Sequence, residues 1–137
     1  MKQFVFWTGM ISVVAGVTFQ FPDLSVRLMP SESPGMLMHI FGLMAVFLGV
    51  MLILCSRDLH SRGTLVAWEG VLRVGGFLAM AGYGLFGGAG ILAAGSGVFD
   101  LIVGVIYLVG LPHYLSVSLA DLLLDRLLSN LTTPALK

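Results

Sequence analysis

The chain has 137 residues, of which 58% are hydrophobic and only 10% are charged, and its mean hydropathy is +1.01. Soluble domains carry about 25% charged residues, so this composition excludes an ordinary water-soluble protein and indicates a membrane protein. The formal net charge is zero and no basic cluster occurs, which excludes a nucleic-acid-binding surface. The single cysteine, Cys55, excludes an intramolecular disulfide and a paired-cysteine metal or redox motif.

Four apolar segments are long enough to cross a membrane, because about 20 helical residues span a hydrocarbon core. Spanning helices are predicted near residues 4–22, 35–55, 64–85 and 89–111. The first segment is interpreted as a retained helix rather than a signal peptide, because it contains Trp7 and Gln20 and lacks a convincing cleavage site. The sequence therefore predicts an all-α fold, a single membrane domain over residues 1–137 that forms an integral membrane four-helix bundle.

A short polar link is predicted at residues 56–63, and helical periodicity resumes after the fourth span, over residues 117–128. Ser118 and Asp121 fit a variant of the capping box at the start of this last segment. Its apolar face consists of Leu119, Leu123 and Leu127. Because about 12 residues are too few to span a membrane, we predict a C-terminal interfacial amphipathic helix with these leucines toward lipid or a partner.

Basic residues flank the four predicted spans unequally. If the chain crosses the membrane four times, five basic residues lie on the same side of it: Lys2, Arg57, Arg62, Arg126 and Lys137. Only Arg27 remains on the other side. By the positive-inside rule, both termini are predicted to be cytoplasmic, and a bacterial inner membrane is the natural setting for so compact a multi-pass chain.

Small residues recur every three or four positions in each predicted span, and each stripe contains a polar residue. The stripes are Gly9, Ser12, Gly16 and Gln20; Gly35, His39, Gly42, Val46 and Gly49; Glu69, Arg73, Gly76, Met80 and Tyr83; and Ala93, Gly97, Asp100, Gly104 and Tyr107. Small residues let helix backbones approach closely in membranes. These faces are therefore predicted to meet inside one bundle, with the ionisable groups directed inward.

Arg73 and Asp100 each lie near the middle of an apolar run. A charge at the bilayer centre costs roughly 2.5–3.5 kcal/mol, so it normally faces a partner or a cavity. The helical rise places both residues at nearly the same depth, with Glu69 one turn from Arg73. We predict that Arg73 bridges the two carboxylates. The cluster is interpreted either as a structural ion-pair clasp or as a site for a polar head group or for protons.

His39 is the fourth candidate site residue and the only histidine within a predicted span. Its depth makes direct contact with Arg73 unlikely unless a water or ligand lies between them. The neighbouring methionines suggest a haem or copper site, but such a site usually needs several convergent ligands. We therefore predict no metal site, and favour a histidine that is hydrogen-bonded inside the protein.

The chain contains no sequence motif of a hydrolase, a phosphate-binding loop or a zinc enzyme, so no catalytic residue is predicted. The glycine-rich hairpin at 87–90, the four predicted helices and the charged residues Glu69, Arg73 and Asp100 resemble the DoxX-like group of small bacterial membrane proteins. The resemblance implies a four-helix bundle. Some members of that group are linked to quinone or thiosulfate oxidation within a larger complex, and the resemblance also implies such a link.

The leading hypothesis is a non-catalytic integral membrane subunit or accessory protein of a larger complex, whose polar cluster binds a lipophilic ligand. The expected partners are the lipid bilayer and other membrane subunits or further copies of the chain, and no cofactor is predicted. An alternative is a quinone-linked redox component in which Arg73 and His39 bind the quinone while Glu69 or Asp100 handles protons. A third hypothesis is an oligomeric transporter of small solutes.

Overall fold

A computed structural model of the chain describes residues 1–21, 35–86 and 90–125, and within these ranges it contains helices and no strands. The helices are α1 (Lys2–Thr18), α2 (Gly35–Arg57), α3 (Leu59–Phe86), α4 (Gly90–Leu115) and α5 (Leu119–Leu123). The predicted all-α class is therefore confirmed for the described residues. The glycine-rich hairpin lies mostly outside them, at residues 87–89.

Three of these helices contain segments that are long and apolar enough to cross a membrane. The segments are His39–Arg57, Leu59–Phe86 and Gly97–Leu115. Helix α1 has 17 residues and a rise of about 26 Å, and a turn carries its chain on to Phe21. The end of the first predicted span, residue 22, lies outside the described part of the chain.

The predicted polar link between the second and third helices is almost absent. Asp58 alone separates α2 from α3, whereas the sequence predicted a link over residues 56–63. The Ser61 hydroxyl donates to Asp58 Oδ2 at 2.5 Å, and the Ser61 N–H donates to Asp58 Oδ1 at 3.4 Å. These two hydrogen bonds lower the pKa of the Asp58 carboxyl. The capped helix start explains why α3 begins before its apolar pattern does.

The C-terminal helix is shorter than predicted, with 5 residues instead of the range 117–128. Ser118 caps it by accepting the N–H of Asp121 at 3.0 Å, and the backbone turns at Asp125, where φ is 54°. Leu122 is its fully buried residue, whereas Leu119 is 36% exposed. The orientation of Leu119, Leu123 and Leu127 toward lipid or a partner stays a prediction, and Leu127 lies outside the described residues.

This short helix packs against the protein rather than lying alone. The Trp68 indole N–H donates to the carbonyl oxygen of Leu123 at 3.1 Å, and the Thr64 hydroxyl donates to Asp125 at 2.9 Å. Both donors lie on α3. The turn after α5 is therefore held by side chains of α3, which periodicity in the tail alone does not reveal.

The four long helices form two closely packed pairs, α1 with α2 and α3 with α4. In the first pair, a Cβ added at Gly16 would lie 2.5 Å from the carbonyl oxygen of Gly42. In the second, a Cβ added at Gly104 would lie 2.9 Å from the carbonyl oxygen of Gly70. Real Cβ atoms do not come so close, so each pair needs glycine at its crossing.

The hydrophobic core lies at one end of the molecule. Met1, Leu59 and Leu115 lie at this end, which we call proximal, and Thr18 and Phe86 lie at the opposite, distal end. The core residues are Val5, Leu52, Cys55, Leu59, Val66, Ala67, Val103, Tyr107, Leu111 and Leu122. The two helix pairs are therefore packed together mainly in the proximal half.

The distal half is more open. Beyond Gly70, α3 has no buried residue among those whose side chains the structure describes. The residues that are buried in this half are glycines covered within their own helix pair, Gly16 and Gly42 in the first pair and Gly97 in the second. Contact between the two pairs thus decreases from the proximal to the distal end.

Candidate functional site

Arg73 forms the centre of a polar cluster between the two helix pairs. Its Nε donates to Glu69 Oε1 at 2.6 Å, and its Nη1 donates to Asp100 Oδ1 at 2.5 Å. Its Nη2 donates to the hydroxyl of Ser12 at 2.9 Å. The predicted pairing of Arg73 with both carboxylates is present, and Ser12 of α1 is a further member. We call these four residues the arginine cluster.

Local geometry and close packing position the cluster. Glu69 and Arg73 lie four residues apart on α3, which places their side chains on the same face. Asp100 reaches the guanidinium from α4, where a Cβ added at the nearby Gly104 would lie 3.2 Å from the Arg73 Cβ. The absence of a side chain at Gly104 therefore lets the two helices approach closely enough for the ion pair.

The cluster is sealed on one side and accessible on the other. The side chains of Arg73 and Glu69 are 11% and 7% exposed, whereas that of Asp100 is 28% exposed. Glu69 Oε2 is buried and has no hydrogen-bond partner among the described residues. Buried polar atoms are rarely without a partner, so this oxygen requires an explanation.

A second hydrogen-bond network connects the cluster to the proximal core. The Ser12 hydroxyl donates to the Thr8 carbonyl at 3.0 Å, and the Thr8 hydroxyl is hydrogen-bonded to the hydroxyl of Tyr107. Tyr107 is fully buried and packs edge-on against Phe4. Ser12 and Tyr107 lie in the predicted inward stripes, whereas Thr8 was not predicted, although its position one turn before Ser12 was an available signal.

His39 is not part of the arginine cluster. Its Nδ1 is hydrogen-bonded with Gln20 Oε1 at 3.2 Å, and Gln20 Nε2 donates to the His39 carbonyl at 3.1 Å. These contacts join the distal ends of α1 and α2. Ser12 contacts Arg73, and Thr18 is the last residue of α1 before Gln20. The helical rise from Ser12 to Thr18 therefore already separates the arginine cluster from His39 by about 9 Å along the helix axis. His39 is therefore a hydrogen-bonded histidine remote from Arg73.

The described residues offer no metal-binding group, since no three of their His, Cys, Asp or Glu side chains converge. Cys55 is a free cysteine buried in the proximal core. The chemistry available at the arginine cluster is therefore that of hydrogen bonding, ion pairing and proton binding.

Gly76 borders the cluster on its distal side. It lies three residues beyond Arg73 on α3, so it shares the face that carries the guanidinium. Among the described residues, no atom outside its own helix turn lies within 4 Å of the place that a Cβ would occupy at Gly76. We call the space beside Gly76 the distal opening.

Comparison of the chain with models of protein families, with curated proteins and with solved structures finds no match. The resemblance to DoxX-like proteins therefore stays a prediction. The function of the chain must be inferred from the chemistry and surroundings of the arginine cluster.

Proposed function

We propose that this chain is an integral membrane four-helix protein, a non-catalytic subunit or accessory protein of a membrane complex, whose arginine cluster binds the polar head group of a lipophilic ligand. The observation that carries the proposal is the open side of a mid-helix ion pair. Asp100 is 28% exposed, and the neighbouring space at Gly76 is empty of other described residues. Complete enclosure would increase the desolvation cost of the ion pair, whereas the open side leaves the pair within reach of a ligand.

Apolar outer surfaces support the membrane location. Among the large side chains directed outward, Phe47 and Leu78 are 65% exposed and Val109 is 66% exposed. Contiguous apolar surface of this kind is unfavourable in water and normal against lipid. Helix α1 supplies the fourth crossing, since its glycines pack along the length of the spanning helix α2. The basic residues support cytoplasmic termini, and a bacterial inner membrane is the setting that we propose for so compact a multi-pass chain.

The free donors of Arg73 indicate which head group is recognised. A guanidinium carries five N–H donors, and the contacts described here use one on each of its three nitrogens. The other two donors have no partner among the described residues, so they can bind a ligand. A lipophilic molecule with a carbonyl or ester oxygen in its head group matches these donors, and its apolar part would occupy the open distal half.

His39 does not supply a second contact to the same head group. It lies at least about 9 Å farther along the helix axis and is already bonded with Gln20. The ligand that we propose is therefore held at one end, by Arg73. A quinone bound in this way remains compatible with the proposed chemistry, because its carbonyl oxygen is an acceptor of the required kind.

The test compares two neighbouring glycines of α3. Gly76→Leu would fill the distal opening beside the cluster, while Gly75→Leu introduces the same side chain at the next position, where the described residues also leave space. Each protein is isolated in native membrane discs without crosslinking, and its bound lipids and proteins are quantified by mass spectrometry. We expect one lipophilic molecule with a carbonyl-bearing head to be enriched in the wild type and in Gly75→Leu, and to be lost from Gly76→Leu.

Equal lipid content in all three proteins would contradict ligand binding and leave the cluster as a clasp. Stoichiometric membrane proteins isolated with the chain would support its role as a subunit. Bound quinone would favour the quinone-linked alternative. A homo-oligomer without ligand or partner would favour a transporter.

A further inference from the structure

The arginine cluster has one more acidic group than basic groups. With both carboxylates ionised, Glu69 and Asp100 contribute two negative charges and Arg73 one positive charge, which leaves a net charge of minus one. An uncompensated charge is strongly disfavoured where water is scarce. The cluster therefore needs one more positive charge to be neutral.

The unpartnered oxygen of Glu69 is the place in the cluster where the missing positive charge would bind. Its side chain is 7% exposed, and Arg73 contacts only its Oε1. Oε2 is buried without a hydrogen-bond partner among the described residues. An ionised carboxylate is an acceptor at both oxygens, so leaving one of them buried and unsatisfied is costly.

In the part of the chain that the structure describes, the groups around Glu69 include no second cation. Helix α3 contributes Arg73, and α4 contributes the carboxylate of Asp100 and the phenol of Tyr107. Helix α1 brings the neutral hydroxyls of Ser12 and Thr8 to the same network. A bound metal ion would also need several more ligands than the described residues supply. A proton, by contrast, needs no such set of ligands.

We infer that Glu69 binds a single proton at Oε2, so that the arginine cluster is a one-proton binding site. The carboxylate takes up H⁺ to form an O–H bond, no electrons are transferred, and the cluster changes from a charge of minus one to neutral. Asp100 keeps its negative charge because it is the more exposed carboxylate and remains paired with Arg73. The inference rests on the membrane location proposed above and does not depend on the lipophilic ligand.

The chain allows the charge of Glu69 to be observed directly. It contains only two glutamates, Glu32 and Glu69. Cell-free synthesis with isotopically labelled glutamate, combined with Glu32→Gln, leaves Glu69 as the only labelled glutamate. Infrared spectra of this protein in lipid nanodiscs at neutral pH, labelled minus unlabelled, should show the carbonyl stretch of a protonated acid. Glu69→Gln in the same background should lack the labelled band.

Asp100→Asn separates proton binding from a purely structural role. It removes one negative charge, so Arg73 alone can neutralise an ionised Glu69. We expect the labelled signal to move from the protonated acid to the carboxylate, with the proton lost from most molecules. Asp121→Asn, in the short helix α5 at the proximal end, is the control and should leave the labelled band unchanged.

A carboxylate signal from Glu69 in the Glu32→Gln protein at neutral pH would overturn the inference. An unchanged protonated band in Asp100→Asn would also overturn it, because the charge count would then not govern the proton. Failure of the membrane proposal would be seen separately, as failure of the chain to enter nanodiscs. Failure of the ligand proposal would be seen in the mass-spectrometric comparison and would leave the infrared result intact.

Discussion

Arg73 holds three helices together through the shape of its guanidinium. The planar group directs separate N–H donors at Glu69 on its own helix, at Asp100 on α4 and at Ser12 on α1. A lysine ammonium carries the same charge but has no rigid fork that matches this arrangement. The residue type, and not only its charge, therefore determines how α1 is connected to the second helix pair.

Arg73→Leu is expected to destabilise the protein by about 3–5 kcal/mol, because it leaves the negative charge of Asp100 without its partner. Adding Asp100→Asn should recover most of that loss, since a protonated Glu69 and two neutral side chains then remain. Asp100→Asn alone should cost less than Arg73→Leu, because Glu69 can release its proton and pair with Arg73. Unfolding in mixed detergent micelles measures all three free energies.

Arg62→Leu is the matched control for loss of an arginine. Arg62 is exposed, and among the described residues its side chain donates to a backbone carbonyl, that of Leu54 at 3.3 Å. A double variant that is no more stable than Arg73→Leu would show that the two charges do not compensate each other. A double variant that folds but has lost the lipophilic ligand would distinguish a binding site from a clasp.

At the scale of the helices, glycines fall into two groups that composition cannot separate. Gly9, Gly16, Gly42 and Gly49 lie where α1 and α2 cross, and added Cβ atoms would meet the opposite helix. Gly75, Gly76, Gly82 and Gly95 have no described atom of another element near the place of a Cβ. The first group is required for close packing of α1 against α2, as Gly70 and Gly104 are for α3 against α4, whereas the second group is not required for packing.

Gly16→Ala should therefore destabilise the α1–α2 pair by roughly 1–3 kcal/mol, as overpacking typically does. Its Cβ would lie 2.5 Å from a backbone oxygen of Gly42, which cannot rotate away as a side chain can. Gly82→Ala is the control and should be neutral, because its Cβ enters open space. The two unfolding midpoints in the same detergent provide the comparison, and equal midpoints would contradict the packing argument.

At the scale of the whole molecule, the arginine cluster lies at the boundary between a packed half and an open half. Proximal to it, Val5, Leu59 and Tyr107 are fully buried between the two helix pairs. Distal to it, the described residues are buried only within a pair. This asymmetry places the polar groups where a ligand can reach them from one side without separating the helices.

The arrangement also predicts the topology of the chain. Met1 and Leu115 pack against the same proximal core, so four crossings would bring both ends of the helical region to one face of the membrane. The positive-inside rule places that face in the cytoplasm. A reporter that works only in the cytoplasm should therefore be active when it is fused after Lys137, and a reporter that works only in the periplasm should be inactive. Activity only of a periplasmic reporter would contradict this orientation.

The helical class and the central ion pair could both be predicted from the amino-acid sequence. Long apolar runs require internally hydrogen-bonded segments, and three of the predicted spans coincide with helices that are long and apolar enough to cross a membrane. The depth of Arg73 and Asp100 could be calculated from the helical rise, because a helix has a fixed length for each residue. Their contact at 2.5 Å agrees with that calculation.

The surroundings of that ion pair depend on how the helices pack and could not be predicted in the same way. Periodicity identifies one face of a helix, but it does not state which helix that face contacts or how closely. Ser12 as a ligand of Arg73, Thr8 as the partner of Tyr107 and the remote position of His39 all depend on the rotation and crossing of neighbouring helices. For the same reason, the unpartnered Glu69 oxygen and the space beside Gly76 could not be predicted from spacing along a single helix.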